Sequence, residues 1–121
     1  GMSYPMTGST GDGYGFAKGL DHQIVRPKPS LCPLLIKEDF IGDLAGISLI
    51  NIDLNIRAKD EKISEFGELL FTHRGISGPT VLRASSQLNK YDKKDVSLSI
   101  DFKPALDDKK LDNRILRDFD K

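Results

Sequence analysis

Cysteine is nearly absent from this sequence. Cys32 stands alone among 121 residues, which excludes an internal disulfide and leaves no thiol set for a zinc cluster. Histidine is almost as scarce. His22 and His73 are the only two, and their spacing supports neither a metal site nor a Cys–His nucleophilic pair. Cys32, between prolines in an apolar stretch, reads as a small buried hydrophobe. Charge of one sign is missing too: 18 basic residues balance 18 acidic ones. Aromatics reach only 7% and do not interleave with Lys and Arg. Together these argue against a nucleic-acid partner. No apolar run approaches the roughly 18 residues that a membrane helix needs, so no membrane partner is expected. No secretory pattern of basic start, apolar centre and small-residue cleavage site is present. The expected setting is reducing and cytoplasmic. No repeat at solenoid periods occurs.

What is present suffices for one domain, or one domain plus a fragment of another. Residues 12–20 read as a short helix with Phe16, Ala17 and Leu20 on one side. Gly13, Gly15 and Gly19 weaken it, at about 1 kcal/mol each against alanine. Pro27, Pro29 and Pro33 make the next stretch extended, with a strand near Cys32–Ile36. From Ile47 the alternation is clean. Ile50, Ile52, Leu54 and Ile56 face one way, and Asn51, Asp53, Asn55 and Arg57 the other. A turn near Lys59–Lys62 leads into a second strand, about 63–72, in which Gly67 marks a bulge or bend. A third strand covers Val96–Phe102. One-sided strands favour an antiparallel sheet or small barrel.

Between the second and third strands, Pro79 opens a helix over 79–88 with Gly78 or Ser77 as cap. Val81, Leu82, Ser85 and Leu88 form its buried side, and Asn89 with the lysine-rich turn Lys90–Lys94 ends it. Near the C-terminus, Leu111, Ile115 and Phe119 recur at helical spacing. Asp107 and Asp108 start this helix and Arg114, Arg117 and Lys121 come late, as the helix dipole prefers. Its lack of a glycine exit reads as a truncated longer helical region.

Two segments have the residue types for ligand contact. The first holds Thr7, Gly8, Ser9, Thr10, Gly11, Asp12 and Gly13, just before the first helix. Small residues let backbone approach a ligand, and free N–H groups at a helix start attract anions. A pyrophosphate or a flavin edge would suit it. A plain glycine-rich turn, capped by Thr10 or Asp12, is the other reading. It is neither a Walker A motif nor a dinucleotide fingerprint. The second holds His73, Arg74, Gly75, Ser77 and Gly78. Here free amides could hold an anion and His73 and Arg74 add charge; alternatively the segment simply steers strand into helix. No catalytic and no metal-binding residue is assigned.

These motifs are recognisable together. TGSTGDGYGFAKGLDH (Thr7–His22), PKPSLCPL (Pro27–Leu34), LAGISL (Leu44–Leu49), GELLFTHRGISGP (Gly67–Pro79) and VLRASS (Val81–Ser86) resemble the HI0933-like flavoprotein family. These are FAD-dependent oxidoreductases, also described as aminoacetone oxidase-like or BaiN-type. The resemblance covers essentially the whole chain. It implies an α+β, antiparallel β-barrel-like insert domain with short helices, truncated at both ends. Residues 1–25 would be a junction from the FAD-binding domain, 26–105 the barrel-like insert, and 106–121 the start of a helical subdomain. Gly1 is then either an expression scar or the end of the family's Ala-Thr-Gly-Gly strand. Thr7–Gly13 would face FAD in the full-length parent, as a similar Thr-Gly-Asp-Gly pattern does in the fumarate reductase group. The dinucleotide fingerprint and the flavin-contacting C-terminal segment are absent. The isolated chain is therefore expected to hold no FAD and to be inactive, its partner being the FAD-binding domain. The alternatives are a small barrel that binds protein or single-stranded nucleic acid, and a purely structural unit.

Overall fold

The longest alternating stretch forms the longest ladder. In the computed structural model, which describes residues 1–58, 61–89 and 96–120, β2 (Ser48–Ala58) pairs antiparallel with β3 (Glu61–Thr72). Ile52, Leu54, Ile56 and Ala58 alternate inward and are buried, as the period of two in a strand requires. On the far side of β2 lies β5 (Val96–Asp101), with Leu98 opposite Ile56 and Ile100 opposite Leu54. Two short strands, β1 (Leu34–Leu35) and β4 (Gly75–Ser77), complete the order β1-β4-β3-β2-β5. Every pairing is antiparallel. The product is a curled half-barrel with short helices, the α+β barrel-like class expected.

One helix closes the concave face. α2 (Pro79–Leu88) starts at Pro79 with Gly78 as its N-cap and lays Thr80, Val81, Ala84, Ser85 and Leu88 into the core. Leu82 is only half-buried. A 3-10 turn at Asp39–Leu44 adds Ile41. Polar bonds fix the register of α2 on β3. Thr80 Oγ1 donates to the Glu68 carbonyl at 2.7 Å. Arg83 Nε and Gln87 Nε2 both donate to the Glu65 carboxylate at 2.7 Å, and Arg83 also reaches the Phe66 carbonyl at 3.0 Å. Glu65 is 16% exposed and Arg83 half-exposed, so solvent screens part of this pairing. Glu65→Ala is expected to lower unfolding free energy by about 1–2 kcal/mol in urea titration.

The extended segment that holds Pro27, Pro29 and Pro33 is strapped to the other end of α2. Lys28 Nζ donates to the Asn89 carbonyl, Asn89 Nδ2 to the Pro29 carbonyl, and the Cys32 N–H to Ser85 Oγ. Cys32 is half-buried rather than buried.

Three expectations need correction. Ile50 does not share a face with Ile52; it is 65% exposed. Leu49 pairs with Leu69 but Ile52 with Gly67, so β2 carries one extra residue there. An inserted residue reverses the alternation. Asn51 takes a φ of +55°, a conformation that asparagine tolerates. Gly67 lies opposite this bulge, with a φ of +144°. Second, β5 stops at Asp101. The Asp101 carboxylate accepts from the Lys103 N–H at 2.9 Å and turns the chain, leaving Phe102 exposed. Third, of the turn expected near Lys59–Lys62, Glu61 and Lys62 already belong to β3, and Lys59 and Asp60 remain. These two, Lys90–Lys94 and Lys121 lie outside the described residues.

Candidate functional site

The glycine-rich segment forms an open ridge. A 3-10 turn at Pro5–Thr7 ends at Gly8, whose φ is +80°. Thr7 Oγ1 donates back to the Tyr4 carbonyl at 2.6 Å and lies 3.2 Å from the Ser9 hydroxyl. The N-cap of α1 (Asp12–Gly19) is Gly11, with a φ of +93°. Neither Thr10 nor Asp12 caps the helix, because a left-handed Gly11 already turns the chain into it. Instead Thr10 Oγ1 donates to Asp12 Oδ1 at 3.0 Å. At the far end, the His22 N–H bonds the Ala17 carbonyl and the Asp21 N–H the Lys18 carbonyl. With Asp21 left-handed, this is a Schellman stop, so His22 caps through its backbone.

The N–H groups of Ser9, Thr10 and Gly11 have no backbone partner among the described residues. Those of Asp12 and Gly13 are the orphan donors that open any α-helix. A Cβ at Gly8 or Gly13 would meet nothing within 4 Å. Around the ridge, Tyr4, Met6, Phe16, Leu20 and Val25 are 73–100% exposed. The ridge is open at Gly8 and Gly13 but not at Gly11, where a Cβ would lie 3.0 Å from Met2 Cγ and 3.4 Å from Tyr14 Cδ2.

His73 and Arg74 occupy the two-residue turn of a hairpin closed by the pair Thr72 and Gly75. The expected nest of free amides does not form over Gly75–Ser77. These residues are β4, paired with β1 on one side and β3 on the other, and Gly78 caps α2. No hydrogen bond among the described residues joins Thr7–Gly13 to His73–Gly78. What His73 and Arg74 do share is a cavity of about 270 Å³, lined also by Lys37. Lys37 stands far from them in sequence, and only the pairing of β1 with β4 brings it near.

A second cavity, of about 230 Å³, lies on α3 (Asp108–Phe119) beside Lys110, Arg114 and Arg117. Asp107 caps α3 by accepting from the Lys110 N–H at 2.8 Å. Arg114 bonds Asp118 at 2.8 Å, and that hydrogen bond holds the Asp118 carboxyl below its ordinary value of 3.8. A lowered carboxyl stabilises the helix above its unfolded pKa, and the gain is lost as pH falls through the folded value. Arg114→Gln is expected to return Asp118 towards 3.8, read by carboxyl carbon NMR. Among the described residues no cluster of His, Cys, Asp and Glu could hold a metal ion.

Comparison with known proteins places the chain. The model of the HI0933-like protein barrel and H2TH domain matches residues 28–121. The chain belongs to the HI0933-like family. The matched HI0933-like range holds the whole sheet, α2 and α3, and leaves the ridge outside. A ribosomal RNA dihydrouridine synthase of Haemophilus influenzae is 40% identical over 86% of this chain and 24% of its own length. Its namesake from Escherichia coli is 32% identical over 71% of the chain and 21% of its own length. A 3-dehydro-bile acid delta(4,6)-reductase of Clostridium scindens is 27% identical over 88% of the chain and 27% of its own length. The chain thus spans about a quarter of these relatives.

Proposed function

We propose that this chain is the barrel-bearing segment of a flavin-dependent reductase that adds hydrogen across a carbon–carbon double bond conjugated to a carbonyl. The observation that carries the reading is the open donor ridge, Thr7–Gly13, in a chain whose relatives are named for reductive chemistry. A dihydrouridine is a uridine with two more hydrogens on its ring double bond, which is conjugated to a ring carbonyl. A double bond next to the 3-oxo group of a bile acid poses the same task. Uridine in ribosomal RNA is the favoured substrate, because the synthase at 40% identity matches better than the reductase at 27%. This reading departs from the expectation of no nucleic-acid partner. The charge balance of one quarter does not set that of the whole protein.

In this reading the exposed apolar side chains around the ridge dock on the FAD-binding domain, the partner expected from the sequence. The backbone N–H groups of Ser9–Gly13 hold the cofactor's carbonyl or phosphate edge. When bound, FAD supplies the electron pair as hydride. The barrel covers the substrate side and excludes water.

The test is reductive turnover by the full-length protein with chemically reduced flavin. Unmodified ribosomal RNA and a 3-oxo steroid with a conjugated double bond are offered separately. A mass gain of two hydrogens in the RNA is expected. No product from either substrate, with FAD bound, would sink the reading. So would stoichiometric flavin retained by the 121-residue chain alone. The ridge itself is tested by Gly13→Ala. Its Cβ meets nothing within 4 Å, so barrel stability should stay within about 0.5 kcal/mol. FAD affinity of the full-length protein should fall about tenfold, because the added methyl holds the cofactor edge away from the backbone donors.

A further inference from the structure

Two cavities in the described residues gather cations, and they differ in one respect. On α3, Lys110 and Arg114 are neutralised by Asp107 and Asp118 at 3.1 and 2.8 Å. At the end of the sheet, Lys37, His73 and Arg74 line the 270 Å³ cavity. None of these three makes an ion pair among the described residues. Lys37 and Arg74 are thus two exposed cations on one cavity with no carboxylate in ion-pair contact, with the His73 ring beside them, and such a pair raises the local potential for an anion.

Backbone hydrogen bonds bring them together. The Ile36 N–H donates to the Arg74 carbonyl at 3.2 Å, which ties the residue before Lys37 to the hairpin turn. Thr72 and Gly75 close that turn from below. Glu38 and Asp39 share the cavity lining, at the start of the 3-10 turn. Carboxylates beside cations repel a bare, multiply charged anion. They accept hydrogen bonds from the hydroxyls or base N–H groups that accompany a phosphate ester. The volume lies below the ~300–1,000 Å³ of pockets that swallow a whole ligand, so the cavity suits one phosphate and its neighbouring sugar.

We propose that Lys37, His73 and Arg74 form a subsite for a phosphate ester. RNA backbone and the phosphates of a dinucleotide share this chemistry. The RNA source rests on the reading proposed above; the subsite itself does not.

The experiment titrates the 121-residue chain, labelled for amide NMR, with single-stranded oligouridylate, FAD and NADPH in separate arms. The comparison is the double variant Lys37→Gln/Arg74→Gln, both exposed residues outside the core. Shifts centred on Ile36–Asp39 and Thr72–Gly75 are expected in at least one arm, and the arm that responds names the source. The double variant should weaken that binding about tenfold. In the RNA arm, the slope of log affinity against log salt should shrink by about 0.7, the value for one phosphate no longer neutralised. Inorganic phosphate should bind more weakly than the ester. No shift at these residues in any arm, or shifts untouched by the double variant, overturns the subsite. If uridine is reduced normally but no arm responds, the subsite fails and the reductase reading stands. If an arm responds but no reduced product forms, the reverse holds.

Discussion

Gly75→Ala is expected to destabilise the fold by about 3 kcal/mol or more, read as a lower urea midpoint at unchanged slope. The cause is space, not conformation, since Gly75 is not among the glycines with positive φ. A Cβ there would sit 2.0 Å from the Leu34 carbonyl oxygen and 2.9 Å from Leu35 Cα. Both obstacles are backbone, so no side chain can swing aside. β1 has only two residues, Leu34 and Leu35, and among the described residues it pairs with β4 alone. The cheapest relief is therefore for β1 to leave the sheet. That would remove Lys37 from His73 and Arg74, so phosphate-ester binding should be lost with stability. Gly42→Ala is the control in the same region. Its Cβ would meet only the His73 carbonyl oxygen at 3.6 Å, an ordinary contact, and should cost under about 0.5 kcal/mol. A variant Gly75→Ala that melts with the parent would show that β1 does not lie against β4 as described.

The contrast between these glycines marks where the sequence could be read and where it could not. Ile52, Leu54 and Ile56 announce a half-buried strand because period-two alternation is a local property. Pro79 and Gly78 announce the start of α2 for the same kind of reason. β4 is different. Gly75-Ile76-Ser77 followed by Gly78-Pro79 has the composition of a turn. Its strand character comes from Leu34–Leu35 on one side and Leu70–Thr72 on the other, which no local pattern reports. The bulge at Ile50–Asn51 escapes in the same way. An uninterrupted alternation hides an extra residue that only the partner strand reveals. Of the two segments proposed to meet a ligand, Thr7–Gly13 is legible from residue type, although its cap is not. His73 and Arg74 were legible as charge, but Lys37 was not, because sheet pairing rather than spacing brings it in.

Gly78→Ala is expected to cost about 2–4 kcal/mol, by a different route from Gly75. Gly78 holds φ +100° and ψ 171°, a region that is essentially closed to residues with a Cβ and costs roughly 1–3 kcal/mol to occupy. Crowding adds to this. The Cβ would lie 3.1 Å from the Leu70 nitrogen and 3.2 Å from the Glu68 carbonyl oxygen and Leu69 Cα. All three belong to β3, which cannot retreat without opening the ladder to β2. The strain therefore falls on the start of α2, where Thr80 donates to the same Glu68 carbonyl and Val81 is fully buried. Amide exchange in the first turn of α2 should accelerate, whereas in Gly75→Ala it should accelerate first at β1. A double-mutant cycle with Thr80→Val separates strain from displacement. If Gly78→Ala only strains its own backbone, the two costs add. If it lifts α2 from β3, the Thr80 bond is already broken, and the second substitution should cost less by about 0.5 kcal/mol or more.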